Sequence, residues 1–267
     1  MKLKVAIISL TCCEGCQMAA LDLGERFLDL SEKIDIAEFH FLEEIPEPKY
    51  FDVAFVEGTP ITELNFERLK KLREKSKYLI ALGACACMGG VQELKNTCNK
   101  EEKMRYVYKN IEAINNPDIK PLKDYVKIDF ELRGCPMTKE EFFALCQKLI
   151  NNHELEQTRL PQKPVCYDCQ LKHNLCLLQE NMLCFGPIIL GGCGAPCPSA
   201  GYPCDGCRGP FQDINPTNIN NLLKLMGERY TSEEIDMIIQ RFGAMNDIYP
   251  KPPKIMEDKT VQKYQDK

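Results

Sequence analysis

Cysteine is the residue that most constrains this chain: 16 of its 267 residues are cysteines, and 12 of these fall into three groups of four. In a secreted chain such thiols would suggest disulfides, whereas in a reducing compartment they indicate metal binding or catalysis. The N-terminal segment MKLKVAIISL has no signal-peptide pattern, and no stretch approaches the roughly 18 apolar residues of a membrane span. We therefore expect a cytoplasmic protein whose cysteines bind metal.

The composition separates the chain into two parts. Hydrophobic residues make up 44% of the chain and charged residues 27%, as in an ordinary globular protein. Proline and glycine concentrate between Pro161 and Pro210, together with eight of the cysteines. This shift predicts two domains, residues 1–155 and 156–267. The net charge of −5 argues against a nucleic-acid partner, which would need clustered Lys and Arg.

Before residue 155, short apolar runs alternate with amphipathic stretches, as in parallel strands joined by crossover helices. The predicted strands are Lys4–Leu10, Asp52–Glu57, Tyr78–Gly83 and Val126–Leu132. The predicted helices are Met18–Leu30, Thr62–Lys75, Lys100–Asn115 and Thr138–Asn151. This order predicts an α/β fold with a flavodoxin-like, doubly wound parallel sheet, followed by a small irregular cysteine-rich domain.

Cysteines stand where three of the predicted strands end. Cys13 and Cys16 form a C-x-x-C pair after the first strand, and Cys85 and Cys135 follow two later strands. Because the carboxyl ends of parallel strands meet at one edge of a sheet, we expect these four thiols to converge. Four thiolates are what a [4Fe–4S] cluster requires. The alternative, small buried apolar residues, does not explain their placement at strand ends.

Neighbouring cysteines leave the choice of ligand open at two of these positions. Cys12 is an alternative to Cys13, and Cys87 is an alternative to Cys85. The C-x-x-C spacing favours Cys13, and the position directly after the strand favours Cys85. Cys146 lies in an apolar run of a predicted helix, so we expect it in the core.

The strongest signal is a run of eight cysteines within 42 residues. Their spacing divides them into two quartets, which are Cys166, Cys169, Cys176 and Cys184, then Cys193, Cys197, Cys204 and Cys207. Each quartet can hold one cluster. Zinc is the main alternative, because paired C-x-x-C units also form tetrahedral sites. Zinc ribbons usually separate their pairs by about 15–20 residues with no cysteine between them, which disfavours a zinc-stapled interaction module here.

Four short segments and the eight-cysteine run together resemble the small subunit of nickel–iron hydrogenases. The segments are LTCCEGCQ (10–17), VEGTP (56–60), GACACMGGVQ (83–92) and RGCP (133–136). The pattern is most similar to the delta subunit of cytosolic sulfhydrogenases, within the family of the 20-kDa subunit of NADH:ubiquinone oxidoreductase. The ordered combination is specific and covers residues 2 to 210, whereas no single segment would suffice.

The resemblance implies three [4Fe–4S] clusters. It implies a proximal cluster on Cys13, Cys16, Cys85 and Cys135, a medial cluster on Cys193, Cys197, Cys204 and Cys207, and a distal cluster on Cys166, Cys169, Cys176 and Cys184. Many similar subunits have a histidine in place of Cys166, and a proline with a three-iron cluster in place of Cys197. All-cysteine ligation therefore implies three four-iron clusters with lower reduction potentials, as in the cytosolic branch.

The resemblance also implies a function, electron transfer within an oxidoreductase complex. The hydrogen-splitting nickel–iron site of such complexes lies on a separate large subunit, so this chain would have no complete catalytic site. It would relay electrons to a flavin-bearing, NAD(P)-binding or other iron–sulfur partner. The alternative is a related redox complex without hydrogenase activity, linked to deazaflavin, heterodisulfide or quinone. Quinone-linked relatives lack the eight-cysteine run, which argues against that version.

Other residues carry weaker signals. Glu57 matches a glutamate near the subunit interface of the resembled family, but as a strand-end carboxylate it is equally suited to capping the next helix. His173 lies near the cysteines and is expected at the surface rather than as a ligand. Two amphipathic helices are predicted at Asn218–Glu228 and Ser232–Phe242, packed on the cysteine-rich domain, and residues 249–253 are expected to be extended.

Overall fold

A computed structural model describes residues 2–39, 50–151, 155, 160–212, 214 and 216–242. Its five strands are β1 (Leu3–Ser9), β2 (Ile34–Phe39), β3 (Phe51–Glu57), β4 (Ser76–Leu82) and β5 (Phe130–Leu132). They form one sheet in the order β2-β1-β3-β4-β5, and every neighbouring pair is parallel. Since this is the order of flavodoxin-type sheets, the predicted α/β fold is confirmed.

The described residues also form ten α-helices. In chain order they are α1 (Gly15–Leu21), α2 (Glu25–Lys33), α3 (Glu63–Lys75), α4 (Gly83–Met88), α5 (Lys100–Val107), α6 (Lys139–Ile150), α7 (Val165–Leu171), α8 (Pro196–Ser199), α9 (Pro216–Gly227) and α10 (Ser232–Gln240). Short 3₁₀ helices follow α4 and precede β5. Within the described ranges, no helix is both long and apolar enough to cross a bilayer.

Alternating strand residues divide the core into two layers. In β1, Val5 and Ile7 pack with α1, α2 and α6, whereas Ala6 and Ile8 pack on the other face with α3 and α4. Strands that are covered on both faces contain almost continuous apolar runs, as β1 does. The helices therefore lie on both sides of the sheet, which is the doubly wound arrangement.

The prediction for the N-terminal end was wrong about one helix and missed one strand. The single helix predicted at Met18–Leu30 is two helices, α1 and α2, and the break between them contains Gly24 with φ +61°. Glycine adopts this backbone conformation without the steric cost that a side chain adds. The edge strand β2 was not predicted, because residues such as Asp35 are exposed and interrupt its apolar pattern.

Two further elements are shorter than predicted, and one was missed. The strand predicted at Val126–Leu132 is reduced to β5, and the helix predicted at Lys100–Asn115 ends at Val107. Since α5 buries none of its residues, little packing extends it. Helix α4 was not predicted. The predicted helices at Thr62–Lys75 and Thr138–Asn151 are confirmed as α3 and α6, within one residue at each end.

The cysteine-rich part of the chain has an apolar cluster of its own. Phe185 and Ile188 are buried there with Leu222 of α9 and Ile235 of α10. Both predicted C-terminal helices, and their packing on the cysteine-rich segment, are therefore confirmed. The predicted extended segment at 249–253 lies outside the described residues, and the domain division at residue 155 stays a prediction.

Candidate metal centres

The carboxyl ends of β1, β4 and β5 meet at one edge of the sheet, and Cys16 lies between them. Cys16 is buried, and its Sγ accepts a hydrogen bond from the backbone N–H of Met137 at 3.4 Å. A Cβ added to Gly83 would overlap the same Sγ. Gly83 is two residues before Cys85, and Met137 is two residues after Cys135. The structure therefore holds Cys16 between the segments that carry the other predicted ligands.

Three more thiols surround this point on its open side. Cys13 and Cys135 are exposed, and Cys85 is half-buried. Burial and the nearby thiols, first among them Cys207 and then Cys85 and Cys13, raise the pKa of Cys135 to about 11. A Cβ added to Gly15 would lie 3.3 Å from the Cys13 Sγ, so the backbone passes close to this thiol. Thiols from three strand ends are thus neighbours, and their binding of one cluster stays a prediction.

Cys87, the alternative to Cys85, is oriented away from this crevice. It is buried in the core, and its Sγ lies 3.5 Å from the carbonyl oxygen of Ala81 and 3.8 Å from that of Leu132. The thiol therefore donates to strand carbonyls, which favours Cys85 as the ligand. Cys146 is also buried in the core, as predicted.

Substitution of these two neighbours is expected to have opposite effects on iron content. Cys87→Ala should retain all the iron and cost about 1–3 kcal/mol of unfolding free energy, because it leaves a small cavity in the core. Cys85→Ala should lose about four iron atoms per chain, since it removes a proposed ligand. Iron analysis of the two purified variants tests the assignment, and iron loss in Cys87→Ala alone would reverse it.

Glu57 organises the first turn of α1. Its buried carboxylate accepts hydrogen bonds from the backbone N–H groups of Cys16 at 3.0 Å and Gln17 at 3.2 Å. The predicted cap on the next helix is wrong, because Glu57 caps α1, whereas Thr62 caps α3, the helix that follows Glu57 in the chain. Burial, followed by the charge of Glu57, raises the pKa of the half-buried Cys12 to about 12. Cys12 lies near Cys85 as well, so it stays an alternative ligand.

Two thiols of the first quartet in the cysteine-rich segment lie beside Gly186. A Cβ added to Gly186 would lie 3.3 Å from the Sγ of Cys166 and 3.5 Å from that of Cys184. Burial raises the pKa of Cys166 to about 12, and the nearby thiols of Cys184, Cys169 and Cys176 add to this rise. All four predicted distal ligands are therefore close together.

The second quartet is also assembled in space. Burial raises the pKa of Cys207 to about 11, and the neighbouring thiols of Cys193 and Cys197 contribute to the increase. Burial likewise raises the pKa of Cys204, and the thiols of Cys184, Cys207 and Cys193 lie near it. The four predicted medial ligands thus surround one region.

Two cysteine-to-cysteine contacts connect the three groups. The backbone N–H of Cys135, in the first group, lies close enough to the thiol of Cys207, in the medial group, to lower its pKa against the effect of burial. The backbone N–H of Cys204, also in the medial group, donates to the Sγ of Cys184 in the distal group at 3.3 Å. The three groups therefore lie in the order strand ends, 193–207 quartet, 166–184 quartet.

Known proteins show the same combination of sequence and fold. The family model of the NADH ubiquinone oxidoreductase 20 Kd subunit matches residues 13–149 of this chain, 137 of its 267 residues. The chain belongs to this family. Its predicted membership of the 20-kDa subunit family is confirmed.

Two relatives of this chain are components of hydrogenases. Sulfhydrogenase 2 subunit delta of Pyrococcus furiosus is 39% identical over 245 residues, which cover 90% of this chain and 99% of the relative. A component of the F420-non-reducing hydrogenase vhu of Methanocaldococcus jannaschii is 34% identical, with 84% and 88% covered. The predicted resemblance to hydrogenase small subunits of the sulfhydrogenase delta type is therefore confirmed.

A solved structure has the same fold. A chain of the NAD⁺-reducing [NiFe]-hydrogenase in its H₂-reduced state matches with a TM-score of 0.53 and 27% sequence identity. The match covers 60% of this chain and 96% of the other. The two relatives and this solved structure are thus components of multi-subunit hydrogenases.

Asp168 connects the two quartets of the cysteine-rich segment. The sequence analysis did not identify this residue. Its carboxylate accepts hydrogen bonds from the backbone N–H groups of Gly192 at 2.6 Å and Gly194 at 3.0 Å, on either side of Cys193. The position of Asp168 inside the C-x-x-C unit of α7 was the only available signal. His173 is exposed, as predicted for a surface residue.

Proposed function

We propose that this chain is the electron-transfer subunit of a nickel–iron hydrogenase. In this proposal it holds three [4Fe–4S] clusters and carries electrons between the nickel–iron site of a large subunit and a flavin-bearing partner. The ligands are the four strand-end cysteines and the two quartets of the cysteine-rich segment. When bound, such clusters supply one-electron redox chemistry, and the protein supplies their spacing, burial and potential.

The observation that carries this proposal is the continuous connection between the three cysteine groups. Cys135 contacts Cys207, and Cys204 contacts Cys184, so no group is isolated from the next. A set of separate structural metal sites would not need to be joined in a row. Sites that exchange electrons do, since transfer between them becomes rapidly slower with distance.

The donor set fits iron–sulfur clusters better than zinc. Twelve thiolates in three quartets are the ligand number that three four-iron clusters require. Zinc ribbons usually separate their two cysteine pairs by about 15–20 residues with no cysteine between them, a spacing that the eight-cysteine run does not have.

The ends of the row are accessible to partner subunits. Cys13 and Cys135 are exposed at the strand-end group, and Cys176 is exposed at the 166–184 quartet. We propose that the large subunit covers the strand ends and that the electron-accepting subunit covers the opposite end. Thiolates at Cys166 and Cys197, rather than histidine or proline, lower the cluster potentials and suit a low-potential acceptor in the cytoplasm.

Metal analysis of the co-purified complex tests this function. We expect about twelve iron atoms and as many acid-labile sulfides per copy of this chain after anaerobic purification, with little zinc. Hydrogen gas alone should bleach the brown colour of the clusters as they become reduced. Near-absence of iron, or stoichiometric zinc, contradicts the proposal. Iron clusters that dithionite reduces but hydrogen does not would identify a related redox complex without hydrogenase activity.

A further inference from the structure

Arg208 is the largest fully buried side chain in the described part of the chain, and it follows directly after Cys207. Only 1% of its surface is exposed. Its guanidinium makes a bidentate ion pair with Glu141 of α6, at 2.8 and 2.9 Å. Placing this charge in the interior demands a full set of hydrogen-bond partners, because an unsatisfied buried charge is strongly unfavourable.

The remaining partners of Arg208 come from both sides of the junction between the cysteine groups. Its Nη1 donates to the carbonyl oxygen of Arg133 at 2.7 Å and to the hydroxyl of Thr138 at 3.0 Å, on either side of Cys135. Its Nε donates to the carbonyl oxygen of Leu190, three residues before Cys193, at 3.1 Å. One side chain therefore connects the segment that carries Cys135 with the segment just before Cys193.

The packing around this ion pair leaves little room for adjustment. A Cβ added to Gly192 would lie 2.6 Å from the Glu141 Oε1 and 3.4 Å from the Arg208 Nη2. The planar guanidinium has five donors in a fixed geometry, which a flexible lysine ammonium does not reproduce.

We propose that Arg208 and Glu141 form a clamp that fixes the distance between the proximal and medial clusters. This inference rests on the proposed function and names the positioning residues for one of its electron-transfer steps. The hydrogen bonds of its side chain go to Glu141, to Leu190 and to the segment around Cys135, so Arg208 acts through the segments on which Cys135 and Cys207 lie.

Arg208→Lys in the whole complex tests the clamp. We expect unchanged iron content. The exchange of isotopes between hydrogen gas and deuterated water should also be unchanged, since this reaction occurs on the large subunit and needs no relay. Hydrogen-dependent reduction of a dye at the distal end should slow by about tenfold or more, because small misplacements of reacting groups have large kinetic effects. The magnetic interaction between the reduced proximal and medial clusters should weaken in electron paramagnetic resonance spectra.

The matched control is Arg73→Lys. Arg73 pairs with Asp129 and donates to the carbonyl oxygens of Ser76 and Lys77, but it joins only elements of the sheet region. Its substitution should leave dye reduction and the magnetic interaction as in the unaltered complex. Equal behaviour of the two lysine variants, with the interaction preserved, overturns the clamp.

A double variant decides the matter if Arg208→Lys does not fold. Arg208→Met with Glu141→Leu replaces both charges by apolar groups of similar size, a change that buried ion pairs often tolerate. We expect the same slow dye reduction and weak magnetic interaction, and normal values of both overturn the clamp. Failure of the proposed function is a separate result, because the unaltered complex would then show no reduction by hydrogen, while dithionite-reduced clusters would still report their interaction.

Discussion

Cys13→Ser is expected to stop electron flow from hydrogen to a dye. The rate should fall by more than about 100-fold, because even changes outside the ligand shell of a metal typically cost about 10–100-fold. Iron should decrease from about twelve to about eight atoms per chain, since only the proximal cluster loses a ligand. The two clusters of the cysteine-rich segment should remain visible by electron paramagnetic resonance.

Cys98→Ser is the matched control for this experiment. Cys98 is exposed, belongs to none of the quartets, and its Sγ lies 3.3 Å from the Lys95 carbonyl oxygen. This variant should keep its full iron content and dye-reduction rate. Dye reduction at the normal rate in Cys13→Ser would refute the relay assignment, whereas a matching loss in Cys98→Ser would show a general sensitivity to thiol replacement.

Gly83→Ala is expected to remove the proximal cluster without touching a ligand. Gly83 has φ +78°, and a Cβ at this position would overlap the Sγ of Cys16. Cys16 is buried against Met137, so it cannot move aside without disturbing the segment that carries Cys135. Iron analysis should show a loss of about four atoms per chain. Hydrogen-dependent dye reduction should be lost to the same extent as in Cys13→Ser.

Gly24→Ala separates backbone strain from the steric effect on the cluster. Gly24 also has a positive φ, +61°, but a Cβ there would meet nothing within 4 Å. We expect this variant to lose about 1–3 kcal/mol of unfolding free energy to strain and to keep its iron. If Gly83→Ala also keeps its iron, Cys16 does not bind the proximal cluster.

Much of the fold follows from local pattern. The apolar run of β1 and the three- and four-residue spacing of α3 and α6 predicted their elements, because each period matches one kind of regular structure. The exposed Asp35 concealed β2, since an edge strand buries fewer of its residues. The sequence pattern likewise did not predict that α5 ends at Val107. This helix buries none of its residues, so no packing extends it further.

The candidate sites divide in the same way. C-x-x-C spacing was enough to define the two quartets of the cysteine-rich segment. The positions of cysteines after strands indicated a third group, since parallel strands bring their ends together, but left two of its ligands open. The choice between Cys85 and Cys87 needed the structure, which directs the Cys87 thiol towards the Ala81 carbonyl. Spacing also gave no indication of Arg208, whose partner Glu141 lies 67 positions away in the chain.

The sequence by itself determined most of the helices and strands, the sheet class and the cysteine groups of this protein, because these depend on periodicity and on the chemistry of neighbouring residues. Only the tertiary structure showed the contacts that join the three groups, and the ion pair of Arg208 with Glu141. The contacts of Cys135 with Cys207 and of Cys204 with Cys184 join segments far apart in the chain. Such contacts arise from packing around a common core, which no local pattern encodes.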